Sequence, residues 1–208
     1  HAALFVEQAR DLFPSEDGTV IGSAPVRPEG FAPGTTTLRS ALLATMVDMT
    51  AGYIPSGAVG PTVDLRLELF APPPTTGRIH LVGRPLKVGG RMVISETTLY
   101  AGADGPAFGR SITNFMKISV GAGLPPGERP LVPMPVASFD ELFGARIRDA
   151  RSIEVDAGVQ IANGVQGTIQ GGAQAFIAEM AAEHAGLASG MLAQAGLFLA
   201  AAAIAAPI

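Results

Sequence analysis

The sequence predicts an α+β fold, an antiparallel sheet wrapped around a long central helix, in two tandem units of which the second is incomplete. Three observations point there. One long helical pattern, residues 38–51, is followed by four strand patterns. A second helical pattern of the same class recurs 131 residues later. Behind that second helix no alternating pattern follows.

In chain order, residues 1–13 read as a short amphipathic helix, with Leu4, Phe5, Ala9 and Leu12 toward one side. Residues 19–26 read as a strand. Residues 28–34, rich in Pro and Gly, read as a loop. The long helix follows Thr35-Thr36-Thr37, which can supply an N-cap. Leu38, Ala41, Leu42, Thr45, Met46 and Met49 give it an apolar 3–4 spacing. Residues 62–70 then alternate, Val63, Leu65, Leu67 and Leu69 against Asp64, Arg66 and Glu68, as a half-buried strand does. Further strands are expected at 78–86, 91–100 and 108–118.

Residues 124–135 hold five prolines, which marks a linker. The expected division is therefore a first unit at 1–120, a linker at 121–138 and a partial second unit at 139–208. Within the second unit the sequence predicts a short helix at 139–143, a strand at 152–159 and a helix over about 169–185. The tail, 187–208, carries no charge and is rich in alanine. It reads as a membrane span, as an apolar helix, or as a stretch whose small residues replace the strands that the repeat calls for. The loss of the repeat there favours the last. Few charges flank the tail and glycines interrupt it, so a membrane partner is not expected.

Composition narrows the function. Hydrophobic residues make up 48% and charged residues 15%, enough apolar matter to fill a core. The formal net charge is -4 and no basic run exists, so nucleic acid is not expected as a partner. With no cysteine there is neither disulfide nor thiolate chemistry. His1, His80 and His184 are scattered, which gives no metal site. His80 reads as a strand residue and His184 as a structural or surface one. The start lacks the pattern of a signal peptide, and a cytoplasmic protein is the default expectation.

The repeat carries the chemistry. Leu38-Arg-Ser-Ala-Leu-Leu-Ala-Thr-Met-Val-Asp48 aligns without gaps on Ile169-Gln-Gly-Gly-Ala-Gln-Ala-Phe-Ile-Ala-Glu179. The stretch from Gly167 to Glu179 resembles the helix motif of hotdog-fold acyl-CoA thioesterases of the phenylacetate-pathway and 4-hydroxybenzoyl-CoA types. Gly171-Gly172, with Glu179 seven residues after the second glycine, has that motif's spacing. Asn163 matches a polar residue common before the loop. The first repeat keeps the acid as Asp48 but has Ser40-Ala41 in place of the glycines. The resemblance implies a hotdog sheet and hydrolysis of a thioester, with no metal or redox cofactor and with CoA as part of the substrate.

Thioester hydrolysis needs a donor for the developing oxyanion and a carboxylate to attack or to activate water. A glycine-led helix start supplies N–H groups within close reach. The acid lies roughly 10–12 Å further along the same helix, too far to serve the same carbonyl. Two antiparallel helices solve this by crossing. Asp48 would face Gly171-Gly172, with Asn163 and Gln170 nearby, and Glu179 would face Ser40-Ala41. The first pairing is preferred for its better helix entrance.

Lys87, Gly89, Gly90 and Arg91 form a turn between two strands. It resembles in position the turn that meets CoA phosphates in related enzymes, and a solvated hairpin tip is the competing reading. The alternatives to a hydrolase are a silent acyl-CoA-binding hotdog protein and an acyl-carrier hydratase or dehydratase. The last usually employs a His–acid pair, and no His adjoins either acid. A sheet left with open edges points to a homo-oligomer.

Overall fold

The computed structural model describes residues 11–14, 17–52, 59–117, 144, 146–149, 152–155, 162–163, 168–169, 171–184 and 197–200. Its centre is a sheet of seven antiparallel strands. These are β1 (Asp11–Pro14), β2 (Val20–Pro25), β3 (Val59–Leu69), β4 (Arg78–Val88), β5 (Met92–Ala101), β6 (Ala107–Lys117) and β11 (Leu197–Ala200). They lie in the order β1-β2-β4-β5-β6-β3-β11. Helix α1 (Ser40–Gly52) crosses one face of the sheet. Almost every residue of α1 is buried, because the sheet covers one side of it and helix α2 (Gly171–His184) another. This suits a helix that is apolar nearly all round. The antiparallel sheet wrapped on a long helix is the hotdog arrangement.

Alternation sorts the strands into two faces. Leu65, Leu67, Ile79, Leu81, Leu99 and Phe108 turn inward and join Leu42, Leu43, Met46 and Val47 of α1. The outer face carries ion pairs. Arg84 meets Glu96 at 3.3 Å, and Arg110 meets Glu68 at 3.0 Å.

The second half of the chain holds two short hairpins before α2. In one, β7 (Arg146–Asp149) pairs with β8 (Ser152–Glu154), and in the other β9 (Ala162–Asn163) pairs with β10 (Thr168–Ile169). Ahead of α1, Phe31 bridges Leu38 in antiparallel fashion. Ahead of α2, Ala162 pairs with Ile169, the same two positions 131 residues on. The hairpin β1–β2 likewise has its counterpart in β7–β8. The repeat thus extends from the helices to the segments that lead into them.

Several expectations are corrected. The predicted helix at 1–13 ends in strand β1, paired with β2. Pro14 cannot donate to a helix and disfavours helical geometry at Phe13. Residues 1–10 lie outside the described residues. The second helix begins at Gly171, not at Ile169, which belongs to β10. The strand expected over 152–159 ends at Glu154. In the tail, Leu197–Ala200 is a strand, not a helix. It pairs with the edge of β3, where unsatisfied backbone groups outweigh the helical preference of alanine. The linker, the short helix at 139–143 and the rest of the tail lie outside the described residues. Among those residues no helix is long and apolar enough to cross a membrane.

Candidate functional site

The two helices bring each acid to the start of the other. Glu179 accepts the N–H of Ser40 through Oε1 at 3.1 Å and the N–H of Ala41 through Oε2 at 2.8 Å. These donors open α1, where no carbonyl of the helix itself can accept them. α1 has no acidic residue of its own in its first turn, so the carboxylate of α2 caps it. At the other end, Asp48 lies against Gly171. A Cβ placed on Gly171 would come within 3.0 Å of Asp48 Oδ2. The two contacts are equivalent under the repeat, since Asp48 corresponds to Glu179 and Ser40 to Gly171.

Close approach of the helices depends on Gly172. A Cβ there would lie 2.6 Å from Thr45 Cβ and 2.7 Å from Thr45 Cα. Only glycine fits where the two backbones pass so near. Beside Glu179, Arg39 forms a largely buried ion pair with Glu183 at 3.2 Å.

Asp48 is buried, and its Oδ1 accepts the hydroxyl of Thr62 at 2.6 Å. Thr62 reaches it because β3 is irregular on either side of that residue, with shifts of register between Val59 and Thr62 and between Thr62 and Asp64. Pro61 sits in this bulge, one of the few strand positions that tolerate proline. The bulge turns Thr62 toward the helix. Asp64 instead accepts the amide of Asn114 at 3.0 Å. Burial pushes the Asp48 carboxyl up to about 6, against the opposing pull of the Thr62 hydrogen bond. Burial likewise raises Glu179, which the amide of Ala41 partly offsets. A buried carboxyl with a raised pKa, set at a helix start, is placed for proton transfer near neutral pH.

Of the residues expected at the site, Asp48, Glu179, Gly171 and Gly172 are brought together. Asn163 lies in β9, paired through its backbone with Thr168, and Gln170 lies outside the described residues. Lys87, Gly89, Gly90 and Arg91 form the tip of the β4–β5 hairpin, closed by the N–H of Gly89 on Met92 O at 2.8 Å. The register places this tip at the Thr62 end of the sheet, because Phe115 pairs with both Thr62 and Val93, and Val93 with Val88. His80 is a strand residue of β4, and His184 ends α2 with Nε2 2.8 Å from Asp149 O. Among the described residues no cluster of metal-ligating side chains occurs. Sequence reasoning missed Thr62, Thr45 and the pair Arg39–Glu183. Pro61 was the available signal for Thr62, since a proline within an alternating run marks a bulge.

No protein-family model and no curated protein matches the chain. Among solved structures, thioesterase superfamily member 2 of zebra fish is similar over 54% of this chain and 83% of its own, at 20% identity and a TM-score of 0.48. A thioesterase from Haemophilus influenzae covers 53% of this chain and 80% of its own, at 10% identity and a TM-score of 0.47. A variant of the phenylacetic acid degradation protein PaaI from Thermus thermophilus covers 52% and 92%, at 12% identity and a TM-score of 0.46.

Proposed function

We propose that the chain is an acyl-CoA thioesterase built as a double hotdog, with its working centre between Asp48 and the start of α2. The observation that carries this reading is the seating of a buried carboxylate against Gly171, at the N-terminus of the opposing helix. The substrate carbonyl would lie at the Gly171-Gly172 turn, where backbone N–H groups and the helix dipole stabilise the oxyanion. Asn163 and Gln170 would add polar contacts at the same entrance. Asp48 removes a proton from water as the water oxygen bonds to the carbonyl carbon. The tetrahedral intermediate then collapses, the C–S bond breaks, and the sulfur leaves as the thiol with a proton. Direct attack by Asp48 through a mixed anhydride is the variant of this scheme. Thr62 holds one carboxylate oxygen and so fixes the direction of the other.

The hairpin tip supports the choice of CoA. Lys87 and Arg91 are exposed at the end of the sheet that carries Thr62. Lys117 joins them, its N–H bonded to Arg91 O at 2.7 Å. Three cations within reach of one site suit the phosphates of CoA. No separate cofactor enters the scheme.

A thiol-release assay over a panel of acyl-CoAs tests the proposal. Release that disappears in Asp48→Asn is expected. Tight binding of the esters without release would instead favour a silent acyl-CoA-binding protein.

A further inference from the structure

The two acid positions are equivalent under the repeat, but their surroundings differ. Both oxygens of Glu179 are engaged by the N–H groups of Ser40 and Ala41. A substrate carbonyl needs those same donors. It would have to displace a buried carboxylate and leave it without them, at a cost of several kcal/mol. The Arg39–Glu183 pair adds a second closure beside this point. Its sequence counterparts at the Asp48 end are Gln170 and Gly52, which cannot form an ion pair. The helix starts differ as well. Glycines at 171 and 172 open α2, whereas Ser40 and Ala41 bring Cβ atoms to the start of α1. Glutamate is also one methylene longer than aspartate, which suits reaching across to a helix end.

We infer that the two acids have divided their roles: Glu179 is a permanent cap that locks α1 to α2, and each chain has one working thioester centre, at Asp48. This inference rests on the proposed hydrolase reading for its second half only. Glu179 is thus a positioning residue that holds the register in which Asp48 meets Gly171.

Two measurements decide it. The first is amide hydrogen exchange, which needs no substrate. In the wild-type protein the Ser40 and Ala41 amides should exchange at least 100-fold more slowly than free amides, and Glu179→Gln should speed them. Unprotected amides in the wild type would overturn the cap. The second is titration with a non-hydrolysable thioether analogue of an acyl-CoA that the protein cleaves, at one equivalent per chain. Two equivalents would overturn the single centre. The variants add a kinetic reading. Asp48→Asn should lower kcat/KM at least 100-fold and erase the inflection of the pH profile, while Glu179→Gln should lose less than 10-fold and keep it. The reverse ranking, with fold intact by circular dichroism, sinks the division. If the wild type cleaves no acyl-CoA at all, the hydrolase reading fails and the exchange data alone judge Glu179.

Discussion

Glu179 Oε2 accepts the Ala41 N–H at 2.8 Å, which ties together two helices whose starts lie 131 residues apart in sequence. Glu179→Ala removes the acceptor of two buried donors at once. A loss of roughly 2–4 kcal/mol is expected, since each orphaned buried N–H costs about 1–3 kcal/mol. Urea unfolding reads this as a lower midpoint. Glu179→Gln keeps one acceptor oxygen and should fall between the two proteins.

Gly172 is the contact point of the helix pair. Gly172→Ala drives a methyl group into the Cα and Cβ of Thr45, neither of which can rotate away. Overpacking of this kind costs about 1–3 kcal/mol. Thr45→Ala should not rescue it, because both clashing carbons remain. A thermal melt of the single and double variants checks the point.

Thr62 sets the acidity of Asp48 from β3. Its hydrogen bond favours the charged carboxylate and opposes the effect of burial. In the proposed reaction kcat/KM rises with pH as Asp48 ionises, through about 6. Thr62→Val keeps the shape and deletes the hydroxyl, so the inflection should move upward. An inflection unchanged or lowered in the pH profile contradicts this role.

Stability should carry the same signature. The folded Asp48 holds its proton to about 6, while an unfolded aspartate releases it near 3.8. The folded state therefore binds the extra proton between these values. Its contribution is complete below about pH 4 and is lost as pH rises through about 6, an effect of roughly 3 kcal/mol. Asp48→Asn removes the titrating group. The difference in stability between wild type and variant should thus change over that interval and be flat on either side, as read by chemical denaturation at a series of pH values.

The hairpin tip gives a prediction about affinity. Lys87→Ala and Arg91→Ala should raise KM for acyl-CoA several-fold with little change in kcat, and should weaken its dependence on salt. A short-chain thioester lacking the nucleotide should not register either substitution.

Much of this was legible in the sequence. The alternation around Leu65 and Leu67 located β3, and the spacing from Gly172 to Glu179 matched a helix start to its acid. The crossing of the helices followed from helix rise alone, and the structure places Glu179 at Ser40-Ala41 and Asp48 at Gly171. What was not legible depends on partners remote in sequence. β1 forms because β2 offers it an edge, and β11 forms because β3 does. Thr62 turns to Asp48 only through a bulge, which local alternation does not reveal. The closure of Arg39 on Glu183 joins two residues 144 positions apart, and neither stands out in its own segment.

The crossing of α1 and α2 has one more consequence. Both helices belong to one covalent chain, so the concentration at which they meet is fixed by the tether and not by the amount of protein. A centre assembled from two separate molecules fades on dilution as its halves part. Here specific activity should hold steady down to concentrations at which paired subunits would have come apart, and loss of the centre would require unfolding.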